Sequence, residues 1–268
     1  MNLTQEQIDV LNRPLRHKRI KVELLDINLK TIDTIEGVVI DGSITNDANN
    51  NIRRNGNITL AIPTYYNGTT FLDIVDNYTI SSSGKIWLDK LIKIYIGIDD
   101  YMQTPETTVW YKRGVFLIDQ PQRDFSATDY TISFSCIDLM AKLTGLRQGQ
   151  LTGTTTLIEK GYYETSGGVT TYVKTTLEEA LKTTITELGG FTKYSIYQIP
   201  TKYKYLPYDI KVTVGSTVYD ILEKLMEIPS TWQMYFDNDG IFTVEPIPSG
   251  ERDITYSIDV TQNMNDTK

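Results

Sequence analysis

From Leu91 to Ile98 the chain reads Leu-Ile-Lys-Ile-Tyr-Ile-Gly-Ile, with an isoleucine at every second position. A strand turns successive side chains to opposite faces, so period-two alternation of β-branched residues predicts a β-strand with one face in a core. The same period recurs along the chain. Ile20, Val22 and Leu24 alternate with Lys21 and Glu23, and Ile32 to Ile44 stays extended with bends at Gly37 and Gly42. Ile58, Leu60 and Ile62 alternate up to Pro63. Further strands are predicted at Val115 to Ile118, Tyr130 to Ile137, Trp232 to Phe236, Ile241 to Glu245 and Ile254 to Ile258. The 18 tyrosines against 7 phenylalanines, with frequent Thr, Ile and Val, agree with a strand-rich chain.

Helices are few and short. Thr4 and Gln7 form a capping-box pattern ahead of Ile8 and Leu11, and Pro14 stops that segment. Phe71 to Tyr78 reads as a helical turn, and Ile137 to Leu143 as a short helix closed by Gly145. A longer helix begins at Thr175 or Thr176 and ends at Gly189-Gly190, with Leu177, Ala180, Leu181, Ile185 and Leu188 on one side. Another starts near Ser216-Thr217 and stops before Pro229. Tyr162-Tyr163 and Tyr172-Val173 flank Gly167-Gly168 as a hairpin would, and Asn238-Asp239-Gly240 reads as a tight turn.

Two stretches share an order of residues. Gly114-Val115-Phe116-Leu117-Ile118-Asp119, Pro121 and Asp129 to Phe134 resemble Gly240-Ile241-Phe242-Thr243-Val244-Glu245, Pro246 and Asp253 to Ile258. Shared alternation alone produces part of that likeness; the order and near-equal spacing favour an internal repeat. The predicted fold is mainly β with a few short helices (α+β), as two related small β-barrel domains with a helical and loop connector. Residues 1–18 are an arm or short helix, 19–146 the first barrel, 147–208 the connector and 209–268 the second barrel, which ends soon after Ile258.

The inventory of reactive groups is sparse. One histidine, His17, sits among Arg16, Lys18 and Arg19 and reads as a surface residue of the arm. The one cysteine, Cys136, alternates with Ile132 and Phe134, which places it in the core as an inert thiol. One His and one Cys do not make a zinc site or a supported Cys–His dyad. There is no P-loop, dinucleotide fingerprint or serine elbow. Asp99-Asp100 reads as a solvated hairpin flank, and Asp237-Asn238-Asp239-Gly240 lacks the glutamate of a calcium loop, having Pro248 there. No catalytic residue, cofactor or metal is therefore expected. The formal charge of −8 disfavours non-specific binding to DNA or anionic membranes. No apolar run is long enough to span a bilayer. The sequence also lacks a signal peptide at its start, which implies synthesis in a cytoplasm. Trp110 and Tyr111 flank a long loop and are candidate interface anchors.

The segment Glu36-Gly37-Val38-Val39-Ile40-Asp41-Gly42-Ser43-Ile44, with Asp47-Ala48-Asn49, Ile52-Arg53-Arg54 and Asn57-Ile58-Thr59-Leu60, resembles the opening of bacteriophage tail-tip hub proteins of the T4 hub type and of prophage baseplates. Ile86 to Gly97, Gly114 to Ile118, Pro121 and Ser135-Cys136-Ile137-Asp138 are similar to the first barrel of such hubs. Gly215 to Leu222 and Tyr235 to Phe242 are similar to their second. The resemblance implies a non-enzymatic homotrimer in the virion tail. Its six barrels would join a six-fold tail tube to a three-fold spike or fibre around a lumen for DNA. Implied partners are copies of itself, a tail tube or distal tail protein, and spike, fibre and tape-measure proteins; Arg53 and Arg54 join Trp110 and Tyr111 as interface candidates. A distal-tail or other baseplate ring component is the nearest alternative. A glycan-binding β-module using exposed Tyr and Trp, or a wall-degrading enzyme with facing carboxylates, are alternatives of other classes.

Overall fold

The computed structural model describes residues 4–13, 17–36, 39–61, 84, 86–100, 107–125, 130–152 and 157–248. The helical turn expected at Phe71 to Tyr78, the strand at Ile254 to Ile258, and thus the second half of the repeat, lie outside them. The chain is mainly β, with antiparallel sheets and few helices, as its alternation predicts.

Helix α1 (Gln5–Leu11) opens the described chain with the expected capping box between Thr4 and Gln7. Seven strands follow: β1 (Lys18–Leu25), β2 (Thr31–Glu36), β3 (Val39–Asn46), β4 (Arg54–Ala61), β5 (Leu91–Asp100), β6 (Thr107–Phe125) and β7 (Tyr130–Asp138). They form one sheet in the order β2-β1-β5-β6-β7-β4-β3. Strands β2 and β3 are its opposite edges, yet only two residues separate Glu36 from Val39. Three peptide steps span at most about 11 Å, so the sheet must roll until its two edges meet at one corner. Bulges in β6, at Lys112 to Gly114 opposite Ile94 and Tyr95 and between Asp119 and Gln122, supply bends for that roll.

Alternation sorts each strand's side chains between two cores. Val22, Leu24, Ile58, Leu60, Ile92, Ile94, Phe116, Ile118, Ile132, Phe134 and Cys136 point into the roll and make a core of aliphatics and two phenylalanines. Leu25, Leu91, Val115 and Leu117 point outward, where the rest of the chain packs on them. Burial pushes the Cys136 thiol up to about 12, as suits an inert core residue.

Beyond β7, Asp138 caps a 3₁₀ turn at Leu139–Lys142. The helix expected from Ile137 is shorter and tighter because Ile137 and Asp138 still belong to the strand. Then come β8 (Leu157–Ile158), β9 (Gly161–Ser166), β10 (Val169–Lys174), α2 (Leu177–Thr183), β11 (Tyr194–Ile196), β12 (Ile210–Lys211), α3 (Val218–Met226), β13 (Trp232–Phe236) and β14 (Phe242–Pro246). Thr176 caps α2 and Thr217 caps α3. A π turn at Thr184–Leu188 ends the first of these helices at Gly189. Their inner faces (Leu181, Ile185, Leu222, Leu225) meet Phe236, Phe242 and Val244. This core is continuous with the outward face of the large sheet, so it joins segments 19–146, 147–208 and 209–248.

Among the described residues neither expected barrel is closed, and residues 249–268 of the second lie outside them. The first is a rolled sheet with two unpaired edges among the described residues. In place of the second stands a three-stranded sheet, β11-β14-β13, with β11 running parallel to β14. Three strands of three to five residues are too few to enclose an interior. The two repeat motifs also do different work. Gly240 (φ 78°) completes the tight turn between β13 and β14, whereas Gly114 (φ 140°) lies at a bulge inside β6.

Candidate functional site

Two clusters of charge lie where elements distant in sequence meet. The first is a cleft of about 620 Å³ between the start of β4 and the β13–β14 turn. Arg54 begins β4 and is only 5% exposed. Its Nε donates to Asp138 Oδ2 at 2.7 Å, while Nη1 donates to Asn238 Oδ1 at 3.1 Å and Nη2 to the Phe236 carbonyl at 2.8 Å. Its guanidinium also lies over the Phe116 ring, 5.4 Å from the centroid. Asp138 is 2% exposed and also accepts from the Met140 amide. A guanidinium, with five donors in a rigid fork, is suited to serve a carboxylate, an amide and a carbonyl together. Gly114 is glycine here because a Cβ would strike the Arg54 guanidinium.

Beside it, Arg53 Nη1 donates to Gln233 Oε1 at 3.0 Å and stacks over Tyr235, 5.3 Å from its centroid. Across the turn, Asp239 takes ion pairs from Lys93 and, at 2.7 Å, from Lys112. Burial would raise its carboxyl, but the lysines' hydrogen bonds and charges outweigh that and hold it below the ordinary range. Asp239 thus ties Lys93 of β5 and Lys112 of β6 to the β13–β14 turn. Asp237 braces the turn itself by accepting from the Asp239 and Ile241 amides.

The second cluster is at the far end of β5. Asp99 and Asp100, expected to be solvated, are 5% and 1% exposed. The correction has a simple cause: the strand continues through both residues and the N-terminal arm covers them. Arg13 pairs with Asp100. His17 Nδ1 lies 2.7 Å from Asp99 Oδ2, and Arg19 Nε donates to Asp99 Oδ1 at 2.9 Å. Burial would raise Asp99, but hydrogen bonds from Thr108, Arg19 and His17 hold it below the ordinary carboxylate range. The Thr108 hydroxyl points at this carboxylate and not at the imidazole, so no nucleophile–base relay is assembled there. His17 itself stays on the surface of the arm, its side chain 60% exposed.

The four interface candidates divide between these clusters. Tyr111 is buried beneath α1 and donates its hydroxyl to the Gln7 carbonyl, and the Trp110 carbonyl accepts from the Gln7 amide side chain. The Trp110 ring, half-buried, carries Lys21 Nζ 5.0 Å from its centroid. Arg53 and Arg54 face the first cleft. All four make contacts within the chain. Sequence reasoning did not find the pairing of Arg54 with Asp138, or of Arg19 with Asp99, because the partners are 84 and 80 residues apart. Among the described residues no cluster of three or more His, Cys, Asp or Glu is arranged to hold a metal ion. No described helix is long and apolar enough to cross a membrane.

No protein-family model matches the sequence, and no curated protein does. Among solved structures the chain is similar to a tail protein from Neisseria meningitidis MC58, at 12% identity and a TM-score of 0.47, over 84% of this chain and 50% of that one. It is similar to the 43 kDa tail protein of prophage MuSo2 from Shewanella oneidensis, at 12% identity and 0.46, over 87% and 56%. It is similar to the Francisella PdpA–VgrG complex, at 12% identity and 0.47, over 96% and 31%. The chain thus spans about half the length of the first two and under a third of the last.

Proposed function

We propose that the chain is a non-enzymatic structural subunit of a bacteriophage tail tip. In this reading it is a hub-type protein forming a trimeric ring between a six-fold tail tube and a three-fold spike or fibre. Its neighbours are a tail tube or distal tail protein, the spike or fibre, and the tape measure, and DNA passes through the ring without specific binding. The reading rests on the tail-hub resemblance of residues 36–60, 86–138 and 215–242. The observation that carries it is the use to which buried charge is put. Arg54, Asp138, Asp99 and Asp100 all fasten one element of the chain to another. Such a body is stiff within while, among the described residues, it leaves the sheet edges β2 and β3 unpaired, which suits a part that transmits load between neighbours.

A distal-tail or other baseplate ring component has the same requirements and differs in its neighbours. Exposed tyrosines at 162, 163 and 172 favour, as a second reading, a glycan-binding module. Negative-stain electron microscopy of the purified chain separates these. Three-fold rings with a central opening are expected; single compact particles together with selective glycan-array binding would replace the hub reading with the glycan one.

A further inference from the structure

The hairpin β9–β10 is built unlike the rest of the molecule. Its six cross-strand pairs run from Gly161↔Lys174 to Ser166↔Val169, and the ribbon is roughly 20 Å long at 3.3 Å per residue. Every residue but Gly161 and Val173 is exposed, on both faces. Both edges are unpaired among the described residues. Tyr163 is 76% exposed and meets Tyr172 edge-on across the ribbon, with ring centroids 5.1 Å apart. A two-stranded ribbon standing alone in water is marginal, yet this one is fixed at its base. The Thr175 amide donates to the Lys160 carbonyl, and the Lys160 amide to Asp209 Oδ1.

The ribbon also stands in a local excess of positive charge. Residues 157–174 and 200–211 hold five lysines and three carboxylates, a balance of +2 within a chain of −8, which leaves −10 on the remainder. Lys174 and Lys204 lie over the exposed Tyr205 ring, 5.6 and 5.3 Å from its centroid. Elsewhere Lys93 and Lys112 share Asp239, and Lys21 reaches Glu23. Lys160, Lys174, Lys202 and Lys204 have no ion pair among the described residues. Between the ribbon and the segment from Tyr205 to Pro207 lies a hollow of about 540 Å³.

We propose that this hairpin is the docking surface for a second copy of the chain, whose acidic body seats on the tyrosines and lysines of β9–β10 and Tyr205. The inference deepens the assembly reading above and rests on it. Charge complementarity selects the occupant: a chain carrying −10 outside the patch is a natural counterpart of the +2 patch inside it. Tyrosine supplies contact area at low entropic cost, and unpaired ribbon edges accept backbone hydrogen bonds from a neighbour. Because the hairpin and the surface that receives it are different parts of the chain, the contact is head-to-tail, the kind that closes into a ring.

The test uses the full chain in two arms. A benzophenone amino acid in place of Tyr163 is irradiated, and the cross-linked peptides are mapped. A covalent species of two copies is expected, with the acceptor peptide outside residues 157–174. In the second arm the double variant Tyr163→Ser, Lys174→Glu is compared with the parent by light scattering at low and high salt. At least ten-fold weaker association is expected, with a melting temperature within about 2 °C of the parent. Parent association should itself weaken as salt screens the patch. If the parent assembles and the variant assembles equally well, the hairpin assignment is overturned while the ring reading stands. A parent that stays monomeric overturns both.

Discussion

The rolled sheet and the β9–β10 hairpin obey the same sequence rule and reach opposite ends. In β5, Ile92 and Ile94 enter the interior of the roll, while Leu91 packs against α2, α3 and the strands beyond them. In the hairpin, Tyr163 and Tyr172 pair in the same regular register, yet stay 76% and 43% exposed. Alternation therefore specifies a strand, and only the neighbouring elements decide whether its faces are covered. The central strands of the sheet are covered by its own chain. Its charges are covered too, in pairs that fasten the arm and the β13–β14 turn. Among the described residues Lys160 and Lys174 of the hairpin take no ion pair, and Tyr163 stays exposed, which is the condition of a surface whose complement lies on another molecule.

That contrast breaks most visibly at Arg54. Arg54→Ala strands Asp138 as a buried charge and removes donors from Asn238 and the Phe236 carbonyl, so a loss of about 3–5 kcal/mol is expected. Urea unfolding measures it; a loss below about 1 kcal/mol would mean that water replaces the guanidinium and the clamp is incidental. Gly114→Ala attacks the same joint from the other side, since its Cβ collides with Arg54 at a positive φ. A cost of about 1–3 kcal/mol is expected, and it should shrink in the Arg54→Ala background because the obstacle is gone.

Acid should loosen the arm before the interior. Asp99 and Asp239 are held below their ordinary values in the folded chain. Their contribution is therefore present above the unfolded value of about 4 and is lost as pH falls through the lowered folded values. Hydrogen exchange should show α1 amides losing protection in that window while β5 and β6 keep theirs. Uniform loss would deny that the ion pairs hold the arm. The smallest effect belongs to the hairpin: Tyr163→Ser alone should leave the stability of the isolated chain within about 0.5 kcal/mol. A larger loss would mean that the ring supports the fold and is not reserved for a partner.

How far the sequence reaches can be judged at particular residues. The capping box at Thr4 is local chemistry, complete within three residues, and forms as read, and the helix expected near Ser216-Thr217 starts at Thr217. The Asn238-Asp239-Gly240 turn and the Gly167-Gly168 hairpin are likewise local. Cys136 follows its strand into the core. The lack of closure among the described residues was not legible, because closure depends on how β2 and β3 meet and on strand number, neither of which is a property of a short window. The Asp99-Asp100 pair was misread as solvated for a related reason. Nothing near residue 100 says that Arg13, His17 and Arg19 return to cover it, although a basic run opposite an isolated acidic pair was the available clue. Gly114 and Gly240 look equivalent in sequence, and only the structure separates a bulge against Arg54 from a hairpin turn.

Self-assembly is the property on which the tail-tip reading stands, and the mass of the purified full chain under native conditions tests it directly. Native mass spectrometry over a rising concentration series should resolve a discrete species at three times the 30.5 kDa chain, with dimers only as intermediates. A single species at the mass of one chain throughout the series would contradict a ring-forming subunit.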